Sequence, residues 1–417
     1  MDFLVLRNYE GLPDSISNDI DLLVAPLQRQ LAEKTLRTAA SEAGFRLHNR
    51  SEFATLALYF SSESLAEAHF DIFHGLQWRA FDFLNSDRFL EKRIDRGLFS
   101  IPHPAHEAAT SLLATMIYNG NIKEKYKPSI VAGFKADTLE ARRLLGASYG
   151  EQNAAFIVES GIAQQWDRLR ASTGRLRRSL ITRELFLRAF KTIPSLVRNG
   201  LRIARRWLKP PGLCVVLCGP DGSGKSTVAD GLVSAMTCSF PPLKGRHFHW
   251  KPPVFTGARQ KARGPADDPH GKPARNGLIS LIYFVLHWFE FFLGSHLRIR
   301  PATFKGGLVL IDRYYYDFFI DQRRYRLRVP QWIVRAGLAA LKKPDLVLIL
   351  DAPVEVLQAR KQEVGPDETR RQREAYLQMA KDLPNAHIIR ADQKVQEVTR
   401  DIKAVILQFM AERAQKR

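Results

Sequence analysis

The chain has 417 residues, 45% of them hydrophobic and 25% charged, with a formal net charge of +20. That length predicts two or three domains, and the balance is that of a soluble globular protein, which excludes a disordered or fibrous chain. The three cysteines, Cys214, Cys218 and Cys238, form neither a metal-ligand spacing nor a disulfide framework, as expected of a reducing, cytoplasmic compartment. Met1-Asp2-Phe3-Leu4 lacks the basic start and long apolar core of a signal peptide.

The first informative element is Asn18-Asp19-Ile20-Asp21-Leu22-Leu23-Val24, read as a strand. Residues i and i+2 share a strand face, so Asp19 and Asp21 point the same way. Two carboxylates so placed can hold Mg²⁺ against a triphosphate. A later strand, Ala68 to Phe73, offers Asp71 as a third ligand. A helical tract follows from His103 to Arg143. His103 and His106 flank a proline at a helix start and have no third ligand nearby in sequence. They read as capping or surface residues rather than metal ligands.

Between Asp167 and Lys209 thirteen Lys/Arg stand against Asp167 and Glu184, a net +11 in that segment. Basic and apolar residues alternate there at helical spacing, and Pro210-Pro211-Gly212 closes it, which marks a connector between domains. A basic amphipathic helix suits an anionic membrane surface or nucleic acid, while its plainer role is a linker packing one face on a domain. The expected layout is a first domain over residues 1–160, a basic helical connector over 161–210 and a second domain over 211–417.

The second domain opens with a continuous apolar strand, Leu213 to Cys218. Gly219-Pro220-Asp221-Gly222-Ser223-Gly224-Lys225-Ser226-Thr227 follows, and a helix runs from Ser226 to Thr237. This fits G-x-x-x-x-G-K-[ST], whose glycines let backbone N–H groups curl around phosphates at a helix N-terminus. Lys225 would reach the β- and γ-phosphates and the Ser226 hydroxyl would ligate Mg²⁺. Further strands are expected at Arg246–Trp250, Leu308–Ile311, Leu346–Leu350 and Ala386–Arg390, in alternation with helices. The pattern predicts an α/β fold with a five-stranded parallel sheet, its ligands at the carboxyl ends of the strands. Asp312 closes one of these strands, as the acidic partner of a nucleotide-bound Mg²⁺ should, and Arg313 follows at the rim. Lys251 to Arg275 reads as a surface loop. Leu278 to Leu293, apolar but broken by His287 and Glu290, falls short of a transmembrane span and reads as a buried helix lining the acceptor site.

The phosphate loop, Asp312-Arg313-Tyr314, and Pro344 to Asp351 with Arg360 on the next helix together resemble the thymidylate kinase superfamily over residues 211–417. The resemblance implies a P-loop kinase in which Asp221 faces the acceptor, Arg313 holds an acceptor-side anion and Asp312 supports the metal. Residues 360–373 would be a mobile lid, whose Arg360 and Arg371 close over the transferring phosphoryl group. Three departures bear on the acceptor. His247 to Pro253 replaces the usual Arg-Glu-Pro-Gly segment, the aromatic run Tyr283 to Phe292 replaces a helix that supplies an arginine, and Tyr314-Tyr315-Tyr316-Asp317 follows Arg313. This combination resembles thymidylate-kinase-like proteins found among bacterial surface-polysaccharide genes.

The paired aspartates with Asp71 resemble the nucleotidyltransferase superfamily over residues 1–160, with the helical tract as an accessory extension and the fold α+β. Arg7 to Pro13 stands where that superfamily usually carries a Gly-Ser or Gly-Gly turn. The leading expectation is an ATP- and Mg²⁺-dependent kinase fused to a nucleotidyltransferase-like domain. Its acceptor would be a sugar, nucleotide-sugar or glycan-pathway intermediate. The alternatives are an authentic thymidylate kinase and a nucleotide-gated binding protein without turnover. Contact with anionic membrane and a homodimer are further expectations; nucleic acid is the weaker one.

Overall fold

The computed structural model describes residues 1–15, 19–52, 55–240, 247–252, 254, 270 and 273–416. Asn18, Arg246, Pro253 and most of the loop read at 251–275 lie outside them. The chain divides into two compact units, Met1–Arg205 and Arg206–Arg417.

In the first unit β1 (Phe3–Val5), β2 (Ile20–Val24), α1 (Arg29–Glu42), β3 (Phe45–Glu52), β4 (Leu56–Ser62) and β5 (Glu67–Phe73) build a mixed sheet of order β1-β2-β5-β4-β3. β2 and β5 run parallel and place Asp21 beside Asp71 in register. Small hairpins follow, and then α2 (Pro104–Asn119), α3 (Lys127–Ala136), α4 (Thr138–Tyr149), α5 (Glu151–Ile162), α6 (Trp166–Ala171), α7 (Thr173–Leu187) and α8 (Ala189–Leu208). Leu112, Leu113, Phe134, Leu144, Leu145 and Ile157 form a helical core with no exposed surface. Leu169, Leu176 and Leu180 belong to that core. The stretch read as connector therefore contributes α6 and α7 to the first unit, because its leucines recur at helical spacing and their burial is favourable. The pair His103 and His106 also separates. His103 caps α2, its Nδ1 accepting from Ala105 N at 3.3 Å. His106 is fully buried, not a surface residue, because it faces Glu140 inside the bundle at 2.8 Å, and Glu140 in turn pairs with Arg88.

In the second unit β6 (Leu213–Cys218), α9 (Lys225–Ala235), β7 (His247–His249), α10 (Gly277–Gly294), β8 (Leu308–Asp312), β9 (Leu346–Asp351), α11 (Val354–Arg360), α12 (Pro366–Asp382), β10 (Ala386–Arg390) and α13 (Val395–Gln415) alternate as expected. The sheet order is β7-β8-β6-β9-β10, and every neighbouring pair is parallel. All six residues of β6 and all five of β8 are buried, as strands covered on both faces must be. α10 is buried on one face alone. Phe284, Glu290 and Phe291 point inward, whereas Leu278, Ile282, Val285 and Leu286 are at least half exposed. Residues 277–304 are long and apolar enough to cross a membrane, by length and composition. The inward face packs on Tyr315 and Phe318.

Candidate functional site

The phosphate loop joins the end of β6 to α9. Gly219, Gly222 and Gly224 have φ of 143°, 82° and 82°, where side chains are strained. A Cβ at Gly219 would meet Leu350 O at 2.6 Å and one at Gly222 would meet Leu357 O at 2.5 Å. Only glycine fits there. Lys225 begins α9, is buried, and donates to Gly219 O at 2.9 Å, Pro220 O at 2.8 Å and Ser223 Oγ at 3.2 Å. Burial, with Arg313 nearby, lowers its pKa to about 8.

Ser226 Oγ lies 2.9 Å from Asp312 Oδ2. The Asp312 side chain has no exposed surface, and its Oδ1 has no hydrogen-bond partner among the described residues. Burial works against its charge, yet the imidazoles of His247 and His249, Lys225 and the Ser226 hydroxyl hold it well below the ordinary carboxylate range. His249 Nδ1 stands at 3.3 Å and His247 Nε2 at 3.8 Å from Oδ2. These histidines alternate on β7, and His249 lies beside Asp312 in register. Their i, i+2 spacing was the available signal, but the strand order that pairs β7 with β8 is not local in sequence. An orphaned buried carboxylate oxygen beside a hydroxyl, below a loop of phosphate-cradling geometry, fits Mg²⁺ held with a nucleotide.

On the other side of the loop Asp221 is clamped by Arg313 and Arg324. Burial opposes ionisation of Asp221, but Arg313, Lys225 and Arg324 outweigh it and keep the carboxylate charged. Arg313 has φ of 67° and continues toward Asp317 at 3.9 Å. Asp317, buried, accepts from Tyr325 at 2.8 Å and Tyr376 at 2.6 Å. Tyr325 stacks on Trp250, ring centroids 4.3 Å apart and 12° from parallel. Lys251 is buried against Glu290, so the cation that follows Trp250 is paired with a carboxylate of α10. Trp250, Asp317, Arg324 and Tyr325 stand in the polar, aromatic and basic segments expected at the acceptor side; what the sequence could not show is their pairing, because charged and aromatic residues at such spacing are common on solvated loops.

The lid arginines have local partners in this structure. Arg360 donates to Ala391 O at 2.7 Å, and Arg371 pairs with Glu368 at 2.6 Å and Ile320 O at 3.0 Å. Arg373 holds Asp351 through two contacts at 2.6 and 2.9 Å. Beside this segment lies a cavity of about 510 Å³ lined by Arg323, Gln358, Gln362, Glu363, Val364 and Glu368.

In the first unit Asp19, Asp21 and Asp71 offer carboxylate oxygens within 4.8 Å of one another. Asp21 is fully buried; one oxygen accepts from Arg7 and the other has no partner among the described residues. Burial raises its pKa to about 6, with Arg7 opposing the rise and Asp19 and Asp71 adding to it. Asp71 accepts from Thr55 Oγ1 at 3.2 Å and lies 3.4 Å from His69. Three carboxylates with one unpartnered buried oxygen make a donor set suited to a hard divalent cation.

A parallel sheet with a lysine-bearing glycine loop at the carboxyl end of its central strand, and a buried acid at the neighbouring strand end, defines a P-loop phosphotransferase. Residues 218–402 match the sequence profile of the family described as thymidylate kinase. A probable thymidylate kinase of Thermococcus gammatolerans is 29% identical over 220 residues, 47% of this chain and 97% of that protein. A thymidylate kinase of Pseudomonas putida is 30% identical over 213 residues, 47% of this chain and 95% of its own length. A probable thymidylate kinase of Thermococcus kodakarensis reaches 32% over 221 residues, 48% and 98% of the two chains. The chain belongs to the thymidylate kinase family through its second unit, and that family uses ATP and Mg²⁺.

Proposed function

We propose that this kinase moves the γ-phosphoryl of ATP to a small sugar-type acceptor, such as a sugar, nucleotide-sugar or glycan intermediate, in surface-polysaccharide metabolism. The observation that carries this reading is the acceptor side. Among the described residues three of its cations are paired: Arg313 and Arg324 share Asp221, and Lys251 is neutralised by Glu290. The inward face of α10 supplies Phe284 and Phe291 where the resemblance leads one to expect an arginine. An aromatic platform of Trp250 on Tyr325 suits a ring better than a second dianionic phosphate.

In this reading the backbone N–H groups of Gly219 to Thr227 cradle the triphosphate, and Lys225 leaves its carbonyl partners to neutralise the β- and γ-phosphates. Ser226 and Asp312 hold Mg²⁺, which when bound offsets phosphate charge. Asp221 faces the acceptor hydroxyl, and Arg313 leaves Asp221 to orient an anion where the acceptor carries one. Arg360 and Arg371 exchange their local partners for the phosphoryl group when the lid closes.

Similarity to thymidylate kinases favours a second reading, in which thymidylate itself is the acceptor. Steady-state ADP release with thymidylate and with a panel of sugars, sugar phosphates and nucleotide-sugars decides between them. Thymidylate should be the poorer substrate by kcat/KM, and efficient saturable phosphorylation of thymidylate promotes the second reading. Lys225→Ala should abolish turnover with either acceptor while leaving the fold intact.

For the first unit we propose a nucleotidyltransferase-like domain in which Asp19, Asp21 and Asp71 hold Mg²⁺ against a nucleoside triphosphate. The setting proposed for the protein is the cytoplasm, at the inner face of the membrane.

A further inference from the structure

A helix on a protein surface ordinarily turns its apolar stripe to the core and its charges to water. α8 does the reverse. Phe190, Ile193, Val197, Leu201 and Leu208 recur at helical spacing and so share one face. They are 99, 56, 58, 55 and 74% exposed. Thr192, on the opposite side, is buried, and Arg202 and Arg206 near it are half-buried. Arg198, Arg205 and Lys209 form an exposed cationic flank between these two sides, in line with Lys191, which pairs with Asp82 at 3.6 Å. From Arg188 to Lys209 there are seven Lys/Arg and no Asp or Glu.

We propose that this face docks on an anionic lipid bilayer, with α8 lying in the plane of the interface. The apolar stripe would enter the headgroup–acyl boundary, and the cationic flank would meet lipid phosphates. Charge decides the occupant. A second copy would bring the exposed cations Arg198, Arg205 and Lys209 against their own copies with no acid in the segment to compensate. A nucleic acid would use the cations and leave the stripe, with Phe190 almost wholly exposed, in water. A lipid surface satisfies both. The inference rests on the proposed location at the membrane and not on the phosphoryl-transfer reading, so either can fail alone.

The test is co-sedimentation of the full chain with vesicles of phosphatidylcholine alone and of phosphatidylcholine with phosphatidylglycerol, at low and high salt. Two double variants, Val197→Glu with Leu201→Glu and Arg198→Glu with Arg205→Glu, join the parent. All four residues are exposed, so the fold should tolerate them; calorimetric ATP binding, made by Lys225 and the glycine loop and by none of the substituted residues, should be unchanged and confirms it. The parent should pellet with anionic vesicles at low salt and be released by salt. Each double variant should lose at least about tenfold in vesicle partitioning, given the contribution of each cation near such a surface. No pelleting, equal pelleting on neutral vesicles, or variants that partition like the parent would each overturn the proposal. So would a dimer, seen by light scattering without lipid, that Val197→Glu with Leu201→Glu dissolves.

Discussion

Ser226 donates its hydroxyl to Asp312 Oδ2 at 2.9 Å, while the other oxygen of that buried carboxylate meets no partner among the described residues. Leaving a buried charged oxygen unpaired is costly, and a divalent cation at this place would remove that cost. The pair couples two strands' worth of structure: Ser226 is set by the phosphate loop after β6, and Asp312 by the end of β8, its parallel neighbour.

Asp312→Asn keeps the shape of the side chain and removes its charge. The expected result is a fall in kcat on the order of 10²–10³-fold, the scale found when one electrostatic group at a transition state is removed. A Mg²⁺ titration of ADP release should also move to higher concentration. Activity close to the parent's would show that Asp312 does not support the metal.

The Trp250–Tyr325 stack gives a second expectation. Trp250→Ala removes one ring of the stack and should raise the acceptor KM by about tenfold, since stacking on an aromatic face is worth about 1–3 kcal/mol. ATP affinity should stay unchanged, because Lys225 and the glycine loop hold the nucleotide without Trp250. An equal rise in both constants would place Trp250 in general folding and not in acceptor binding.

Much of this was legible in the chain. β6, β8, β9 and β10 are short apolar runs bounded by turns, and the loop after β6 carries its own signature, so sheet and nucleotide site follow from local pattern. Asp21 and Asp71 were likewise readable, because alternation fixes their strand face and the parallel register of β2 and β5 brings them together. What could not be read is non-local. Arg324 reaches Asp221 across 103 positions, and His249 meets Asp312 across 63. Neither pairing leaves a periodic trace. The α6–α7 segment misled for a related reason: its charge was conspicuous, and Leu169, Leu176 and Leu180 beneath it were not.

The buried Arg88–Glu140–His106 group sets a pH-dependent expectation for the first unit. The hydrogen bond from Arg88, helped by His106, lowers Glu140 from 4.5 to about 2. Folding therefore favours the ionised form; that stability is fully present above about pH 4.5 and is lost as pH falls through about 2. Glu140→Gln should cost about 2 kcal/mol at pH 7, a value reduced for the partial exposure of Arg88. Thermal unfolding of parent and variant should converge as pH falls across that window. A gap that persists unchanged at low pH would assign the loss to packing and not to charge.

The paired aspartates make the last expectation. Mg²⁺ keeps much of its water and prefers one or two carboxylates completed by phosphate oxygens, so the metal alone should bind weakly. A triphosphate supplies the missing oxygens. In a Lys225→Ala background, where the kinase site is disabled, calorimetric titration of ATP or CTP with Mg²⁺ should still show binding. Asp19→Asn should reduce that residual affinity, since Asp19 contributes one of the three oxygens gathered within 4.8 Å. Asp21→Asn should reduce it further, because the oxygen of Asp21 without a partner among the described residues is buried and cannot be replaced by bulk water. Arg7 supplies an internal control. It occupies one oxygen of Asp21, so Arg7→Ala should free that oxygen and tighten the metal–triphosphate complex, provided the unit remains folded by circular dichroism. An unchanged titration in all three variants would reduce the first unit to a scaffold that carries its carboxylates without using them.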